Sequence, residues 1–195
     1  MQPATIKLFL TDGDPEGVRT AEISNWSGMA IAGPRKDLTT LLKRRELEGA
    51  GVYLLTGVDP ESDQDLLYVG ESEALHQRLK DHRKRDDWNH SVVFLSKDDN
   101  LTKSHLRFLE GELIRIARES GRSILLNSAS SGSPLPESDS ADMEVYLQKA
   151  LQLLPVLGVD LLKSLERTDE RAVDLLYCQI KGLKAVGLRL SLIHI

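Results

Sequence analysis

The segment GVYLLTGVDPESDQDLLYVG, residues 51–70, predicts the hairpin around which the rest of the chain is arranged. Its two ends, GVYLLTG and DLLYVG, are apolar stretches with the length and composition of β-strands. The polar residues DPESDQ between them are typical of a connecting turn. We therefore expect two antiparallel strands, with Tyr53 on the first strand and Tyr68 on the second.

Helices and a further strand are predicted after this hairpin. The pattern indicates a helix from about Ser72 to Lys84, a strand at SVVFLS, residues 91–96, and a long helix from about Thr102 to Ser120. An amphipathic helix follows from about Asp139 to Leu154, and Pro155 stops it. This order predicts an α+β fold, in which helices flank a small antiparallel sheet of three strands.

The residues before the hairpin predict a β-rich extension. TIKLFL, residues 5–10, and RTAEIS, residues 19–24, read as strands joined by the turn DGDPEG. MAIAGP, residues 29–34, predicts a third short strand, and a helix is expected from Asp37 to Glu48. We divide the chain into a β-rich N-terminal extension at 1–48, a central domain at 49–130, a helix packing on it at 137–158, and an incomplete C-terminal segment at 159–195.

Composition limits the classes of protein to consider. The 195 residues are 41% hydrophobic and 28% charged, as is usual for a soluble globular protein. No apolar run approaches the roughly 20 residues that a membrane helix needs, and no signal peptide is recognisable at the start. The single cysteine, Cys178, excludes an internal disulfide. We therefore expect a cytoplasmic protein without a membrane partner.

The charge is distributed unevenly along the chain. A net charge of -5 argues mildly against a nucleic-acid partner, because phosphate binding depends on lysine and arginine. Residues 78–85, RLKDHRKR, are nevertheless strongly basic, while residues 137–144, ESDSADME, are acidic. The basic run is either a solvated helix end or a local anion-binding patch. At a helix C-terminus the helix dipole stabilises positively charged side chains.

One carboxylate falls in the apolar stripe of the long helix. At about 100° per residue, Glu110 lies among the apolar side chains, whereas Glu112 lies toward the outer side. The stripe consists of Leu106, Leu109, Leu113, Ile116 and Ala117. A carboxylate that is partly removed from water needs a cation, a hydrogen bond or a metal ion. Glu110 therefore predicts either an ion pair with Arg78 or Lys80, or a metal site in a cleft.

Arg78 and His82 are four residues apart and share one side of the preceding helix. A guanidinium can hold a phosphate through two hydrogen bonds, and a histidine can relay a proton or hold a water molecule. Each residue taken alone is equally compatible with an ordinary helix surface. Tyr53 and Tyr68 are likewise compatible with cross-strand packing, and Asn127 with a turn.

Taken in order, these residues resemble the GIY-YIG nuclease family over roughly residues 50–130. The matching positions are Gly51-Val52-Tyr53, Tyr68-Val69-Gly70, Arg78, His82, Glu110 within LEGELI, and Asn127. The chain is most similar to bacterial members that continue into a small C-terminal domain of unknown function. LYCQIKGLKAVG, residues 176–187, would begin that domain, which would be incomplete here.

This resemblance implies a divalent-metal-dependent DNA endonuclease that hydrolyses phosphodiester bonds. Glu110 would bind Mg²⁺ or Mn²⁺, Arg78 would stabilise charge on the phosphoryl oxygens, and Asn127 would complete the catalytic set. Tyr53 would deprotonate or orient the attacking water, assisted by Tyr68 or His82. The residues expected to contact DNA are Arg78, Lys80, Arg83, Lys84 and Arg85.

The chain departs from the family pattern at two places. Glu71 stands where many members have a lysine, and the loop between the two tyrosine motifs is longer than in many members. Glu71 would repel a phosphate near the site or bind the metal. The alternative reading is therefore a DNA-binding or assembly module that has the fold without cleavage, and a third is a purely structural domain.

Overall fold

The computed structural model describes residues 3–127 and 132–163, together with the backbone of 175–180 and 183–188. The chain divides into two compact units, Met1–Ser164 and Leu165–Ile195. The strands of the first unit are β1 (Ile6–Leu10), β2 (Arg19–Ile23), β3 (Gly28–Pro34), β4 (Gly51–Val58), β5 (Asp65–Ser72), β6 (His90–Ser96) and β7 (Ile124–Leu125). Its helices are α1 (Leu38–Leu41), α2 (Leu75–Asp81), α3 (Lys103–Ser120) and α4 (Glu137–Leu153).

The second unit contains β8 (Leu175–Ile180) and β9 (Leu183–Leu188), which pair as an antiparallel two-stranded sheet. The described part of the chain has no helix that is both long and apolar enough to cross a membrane.

The first unit has an α+β fold, as predicted, but its sheet has seven strands instead of three. The strand order is β1-β2-β3-β6-β4-β5-β7, and every pair is antiparallel except β5 with β7. The prediction of a small three-stranded sheet is wrong because β3 pairs with β6 along its whole length, from Gly28 opposite Ser96 to Pro34 opposite His90. The strands of the N-terminal extension thus continue the central sheet.

The hairpin β4–β5 lies next to the central strand β6 of this sheet. Tyr53 lies opposite Gly70, and Leu55 lies opposite Tyr68. Gly51 at the start of β4 allows a close strand approach, because a Cβ there would lie 2.3 Å from the Phe94 carbonyl oxygen on β6. The glycine of the GVY triplet therefore has a packing role in the sheet, apart from any chemistry.

Side chains of β4 alternate between two hydrophobic cores. Val52 and Leu54 face one core, which α3 and α4 cover, and we call this side the α3 face. Tyr53 and Leu55 face the other core, which α1 and α2 cover, and we call this side the α2 face. Because successive strand residues point to opposite faces, the sheet is apolar on both sides and is buried between two helical layers.

The predicted helix from Asp37 to Glu48 is broken into shorter pieces. A 3₁₀ turn at Arg35–Asp37, α1, and a second 3₁₀ turn at Arg45–Glu48 replace it. Leu38, Leu41 and Leu47 are all buried in the core of the α2 face. In one continuous helix Leu47 would point about 180° away from Leu38, so the chain must bend to bury both.

The other predicted helices are closer to their observed bounds. The helix predicted at 72–84 is α2 followed by a 3₁₀ turn at His82–Lys84. The helix α3 begins after Thr102, whose hydroxyl accepts a hydrogen bond from the backbone of His105 at 3.3 Å. His105 Nδ1 in turn accepts from the Thr102 backbone amide, so the two residues form a reciprocal cap.

Substituting Gly51 by alanine should destabilise the fold, because the new methyl group would meet the Phe94 carbonyl oxygen. We expect a loss of about 1–3 kcal/mol in the free energy of unfolding, measured by urea denaturation. Gly132→Ala is the matched control, since no described residue lies within 4 Å of a Cβ at that position. Equal stability of the two variants would contradict this role for Gly51.

Candidate active site

Four of the predicted site residues meet on the α2 face. What we call the tyrosine cluster consists of Tyr53 from β4, Tyr68 from β5, Arg78 from α2 and His82 from the 3₁₀ turn that follows it. We call α2 together with this turn the α2 segment. The rings of Tyr53 and Tyr68 are 6.1 Å apart between centroids, and the His82 ring is 5.4 Å from each of them. Residues separated by up to 29 positions in sequence are thus brought into direct contact.

The Tyr53 hydroxyl is the centre of the hydrogen bonding in this cluster. It lies 2.8 Å from His82 Nε2 and accepts a hydrogen bond from Arg78 Nε at 2.9 Å. Arg78 also reaches the Tyr68 hydroxyl through Nη2, at the longer distance of 3.4 Å. The phenol of Tyr53 therefore connects β4 to two successive turns of the α2 segment.

The two tyrosine motifs depend on each other for space. Gly70 is the partner of Tyr53 in the β4–β5 register. A Cβ at Gly70 would lie 2.4 Å from the Tyr53 hydroxyl oxygen, well inside van der Waals contact. The last residue of YVG must therefore be glycine for the tyrosine of GVY to hold this position.

Burial determines the protonation states of Tyr53 and His82. Burial, followed by the nearby cations Arg78 and Arg85, lowers the pKa of His82 to about 4. Burial, followed by the neighbouring Tyr68, raises the pKa of Tyr53 above its ordinary value. At neutral pH His82 and Tyr53 are therefore both uncharged, and in the tautomer that carries its proton on Nδ1 the His82 ring accepts the phenol proton of Tyr53 at Nε2.

A ligand would contact only part of the tyrosine cluster. Tyr53 is 0% exposed and His82 is 5% exposed, so both lie beneath the surface. Arg78 is exposed and Tyr68 is half-buried. The Arg78 guanidinium and the Tyr68 hydroxyl therefore form the surface that a phosphate would meet first.

Basic side chains surround this surface. The Arg85 guanidinium lies 4.5 Å from the centroid of the Tyr68 ring and makes two hydrogen bonds to Asp87, at 3.0 and 2.6 Å. Lys80, Arg83 and Lys84 are exposed. Of the residues predicted to bind nucleic acid, Arg85 is thus already neutralised by a carboxylate, while the two lysines extend into solvent.

Glu110 lies on a different face of the sheet. It is half-buried on α3, next to Leu106, Leu109 and Leu113, which pack in the core of the α3 face. Among the described residues, the edge of β5 beyond Val69 has no further strand partner, because β7 pairs with β5 at Leu66 and Leu67 and the Asn127 side chain bonds to Val69. A ligand that contacts both Glu110 and Arg78 must therefore lie across this edge.

The carboxylates on the α3 face suit a magnesium site that water and phosphate oxygens complete. Strand alternation places Glu71 on the α3 face with Val69, on the same side of the sheet as Glu110. Among the described residues, no group of three or more histidine, cysteine or acidic side chains could hold a metal ion together. Magnesium commonly binds one or two carboxylates and completes its shell with water and substrate phosphates. Glu110, with Glu71, fits that donor set.

Asn127 has a clear structural task. Its side-chain oxygen accepts a hydrogen bond from the Val69 backbone amide at 3.0 Å, and its side-chain nitrogen donates to the Val69 carbonyl at 2.7 Å. These bonds continue the pairing of β7 with β5 by one further step. Asn127 therefore positions the strand that carries Tyr68, because both polar atoms of its side chain are bonded to the Val69 backbone.

Two residues that sequence reasoning missed complete the surroundings of His82. The Trp88 indole nitrogen donates to the His82 carbonyl at 3.0 Å and is buried. Asp87 holds Arg85 in place beside Tyr68. The available signal was their position in RKRDDW, where a tryptophan directly follows a charged run and is out of place on a solvated surface.

No protein-family model matches this chain, and neither a curated protein nor a solved structure shows significant similarity to it. Its function is therefore inferred from its own residues, from their geometry, and from the resemblance of its motifs to the GIY-YIG pattern.

Stability should fall with acid partly because of His82. Its folded pKa of about 4 lies below the ordinary value of 6.5, so its contribution is complete above pH 6.5 and is lost as pH falls toward 4. The slope from one such group is at most about 1.4 kcal/mol per pH unit. Urea unfolding of wild type and His82→Gln between pH 7 and pH 4 measures it. Carboxylate titration affects both proteins equally and cancels in the difference between their unfolding free energies. If the two unfolding free energies depend on pH in the same way, the lowered pKa of His82 is refuted.

Asn127→Asp should weaken the attachment of β7, because a carboxylate cannot donate to the Val69 carbonyl. We expect a loss of about 1–3 kcal/mol in unfolding free energy, since a buried carbonyl loses its donor. Gln148→Glu, the same amide-to-carboxylate change at an exposed position, is the control. If Asn127→Asp leaves stability unchanged and impairs only activity, the residue is catalytic and not structural.

Proposed function

We propose that this chain is a metal-dependent nuclease of the GIY-YIG type that hydrolyses phosphodiester bonds in DNA. The observation that supports it best is the contact among Tyr53, Tyr68, Arg78 and His82, whose identities and order were the basis of the resemblance. A core that needed only packing would not require an arginine and a histidine to bond one buried phenol.

The exposed half of the cluster suits a phosphodiester. Arg78 donates through Nε to Tyr53, so that its outer nitrogens face solvent and a phosphoryl oxygen. The Tyr68 hydroxyl, 3.4 Å from Arg78 Nη2, is positioned to donate to the same group. Fixed donors of this kind stabilise the charge that develops on phosphorus oxygens during substitution.

The buried half suits proton transfer. A water molecule that attacks phosphorus must lose a proton as the new P–O bond forms and the leaving P–O bond breaks. Neutral His82 is the acceptor, and Tyr53 connects it to the surface by passing its own proton to Nε2 while taking one from the water. No phenolate accumulates, in agreement with the raised pKa of Tyr53. Because Tyr53 is buried, Arg78 must move toward the phosphate to uncover the phenol oxygen.

Glu110, with Glu71 on the same face of the sheet, would hold the divalent metal. When bound, Mg²⁺ or Mn²⁺ would supply positive charge for the leaving oxygen. The substrate would then lie across the open edge of β5, with Arg78 on one face and the carboxylates on the other.

The second candidate is a DNA-binding or assembly module of the same fold that does not cleave. Two features favour it: Glu71 adds negative charge beside the strand edge across which the substrate would lie, and Tyr53 is fully buried. Such a module would retain salt-dependent DNA binding without metal and would show no hydrolysis under any metal condition.

The decisive experiment compares cleavage of plasmid, branched and single-stranded DNA with Mg²⁺ or Mn²⁺ by wild type and Glu110→Gln. We expect the substitution to reduce the rate by at least about a hundredfold, because it removes the charged metal ligand. Glu112→Gln is the matched control, since Glu112 is two residues away and pairs with Arg115 at 2.8 Å. It should retain wild-type activity.

Two results would reject the nuclease proposal. Absence of cleavage of every DNA form by wild type would leave the binding module, provided that electrophoretic assays without metal still detect a complex. Equal rates for wild type and Glu110→Gln would remove the metal role of Glu110 and assign the cleavage to a contaminant or to another site.

A further inference from the structure

The N-terminal extension contributes its own cations to the surface beside the tyrosine cluster. The Arg35 guanidinium donates to the Arg83 carbonyl at 3.1 Å, which joins the first 3₁₀ turn to the turn at His82–Lys84. The Leu75 amide donates to the Gly49 carbonyl at 3.2 Å, so the second 3₁₀ turn lies against the start of α2. The side chains of residues 35–37 and 83–88 thus belong to one surface.

This surface has the opposite charge balance from the chain as a whole. Residues 35–37 and 83–88 contain five lysines and arginines against three aspartates and glutamates. The whole chain has 25 lysines and arginines against 30 aspartates and glutamates. A basic region on an acidic protein favours a polyanion locally while the rest of the molecule repels it.

An open depression of about 630 Å³ lies within this surface, between the extension and the segment after α2. Trp88 is buried at its base, and the Arg35 guanidinium lies 5.5 Å from the centroid of the indole ring. The same indole donates to the His82 carbonyl, so the depression and the tyrosine cluster share Trp88 as a common support. The depression is lined by Pro34, Arg35, Lys36, Asp86, Trp88 and Asn89.

The polar groups of the depression suit a phosphodiester backbone. Lys36 is exposed, and Arg35 is held in place by the indole and by the Arg83 carbonyl. Arg35 also pairs with Asp86 at 2.7 Å, but Asp86 is 91% exposed, so a phosphate can replace this carboxylate at small cost. The pairing shows that the Arg35 guanidinium already holds an anionic oxygen in this geometry.

We propose that the depression formed by Arg35, Lys36 and Trp88 is a second nucleic-acid contact, which binds the phosphate backbone of the DNA strand next to the tyrosine cluster. This inference rests on the proposed function, because the strand bound here is the one that reaches Arg78 and Tyr68. It gives the N-terminal extension the role of holding a longer substrate, while the tyrosine cluster meets the phosphate to be cleaved.

Binding is tested in the full chain carrying Glu110→Gln, in EDTA, with a labelled branched DNA oligonucleotide at about 50–200 mM salt. Lys36→Gln should weaken binding about threefold to tenfold and reduce the slope of log K against log salt by about 0.7–0.9. Asp86→Asn should have the opposite effect and tighten binding about twofold to fivefold, because it frees Arg35. Lys7→Gln, an equal charge change on the exposed strand β1, is the control.

Hydrolysis of a small phosphodiester distinguishes an effect on this second contact from an effect on the cleavage site. Bis(p-nitrophenyl) phosphate is too small to span both, so Lys36→Gln should leave its rate unchanged while raising KM for DNA with the same kcat. If Lys36→Gln and Lys7→Gln have equal effects on DNA affinity, or Asp86→Asn weakens binding, the second contact is refuted even though wild type cleaves. If wild type cleaves neither substrate but Lys36→Gln still weakens DNA binding, the nuclease proposal is rejected and the second nucleic-acid contact is supported.

Discussion

The buried hydroxyl of Tyr53 is the point on which the structure of the site depends. It lies against the backbone of Gly70 on the neighbouring strand and is bonded to both Arg78 and His82 on the α2 segment. A buried phenol without partners would be costly, so the register of the hairpin and the position of the helix are determined together. The exposed surface of Arg78 and Tyr68 has its geometry because this buried phenol is held in place.

The same burial governs the charges that the site can use. Desolvation keeps His82 uncharged and Tyr53 protonated, and the cations Arg78 and Arg85 act in the same direction on the histidine. The interior of the cluster is therefore neutral, whereas positive charge is confined to its surface. This separation suits an anion that binds outside and a proton that moves inside, and it is the physical basis of the nuclease proposal.

The parts predicted correctly from the sequence are those that depend on local patterns. The strands of the hairpin, the capped helix α3 and the shared side of Arg78 and His82 follow from periods of two and 3.6 residues. The helix predicted over 37–48 failed because its leucines are separated by spacings that one straight helix cannot bury on one side. The three-stranded sheet failed because nothing local shows that β3 joins the free edge of β6.

The sequence by itself determined the order of most strands and helices and the placement of the two tyrosines on adjacent strands. Only the tertiary structure decided that Glu110 lies on the α3 face while Tyr53 lies on the α2 face, and that Asn127 braces Val69. The physical reason is the sequence separation of the interactions involved. Periodicity tells which side of an element is apolar, but the sheet face that a helix covers depends on contacts between residues far apart in the chain.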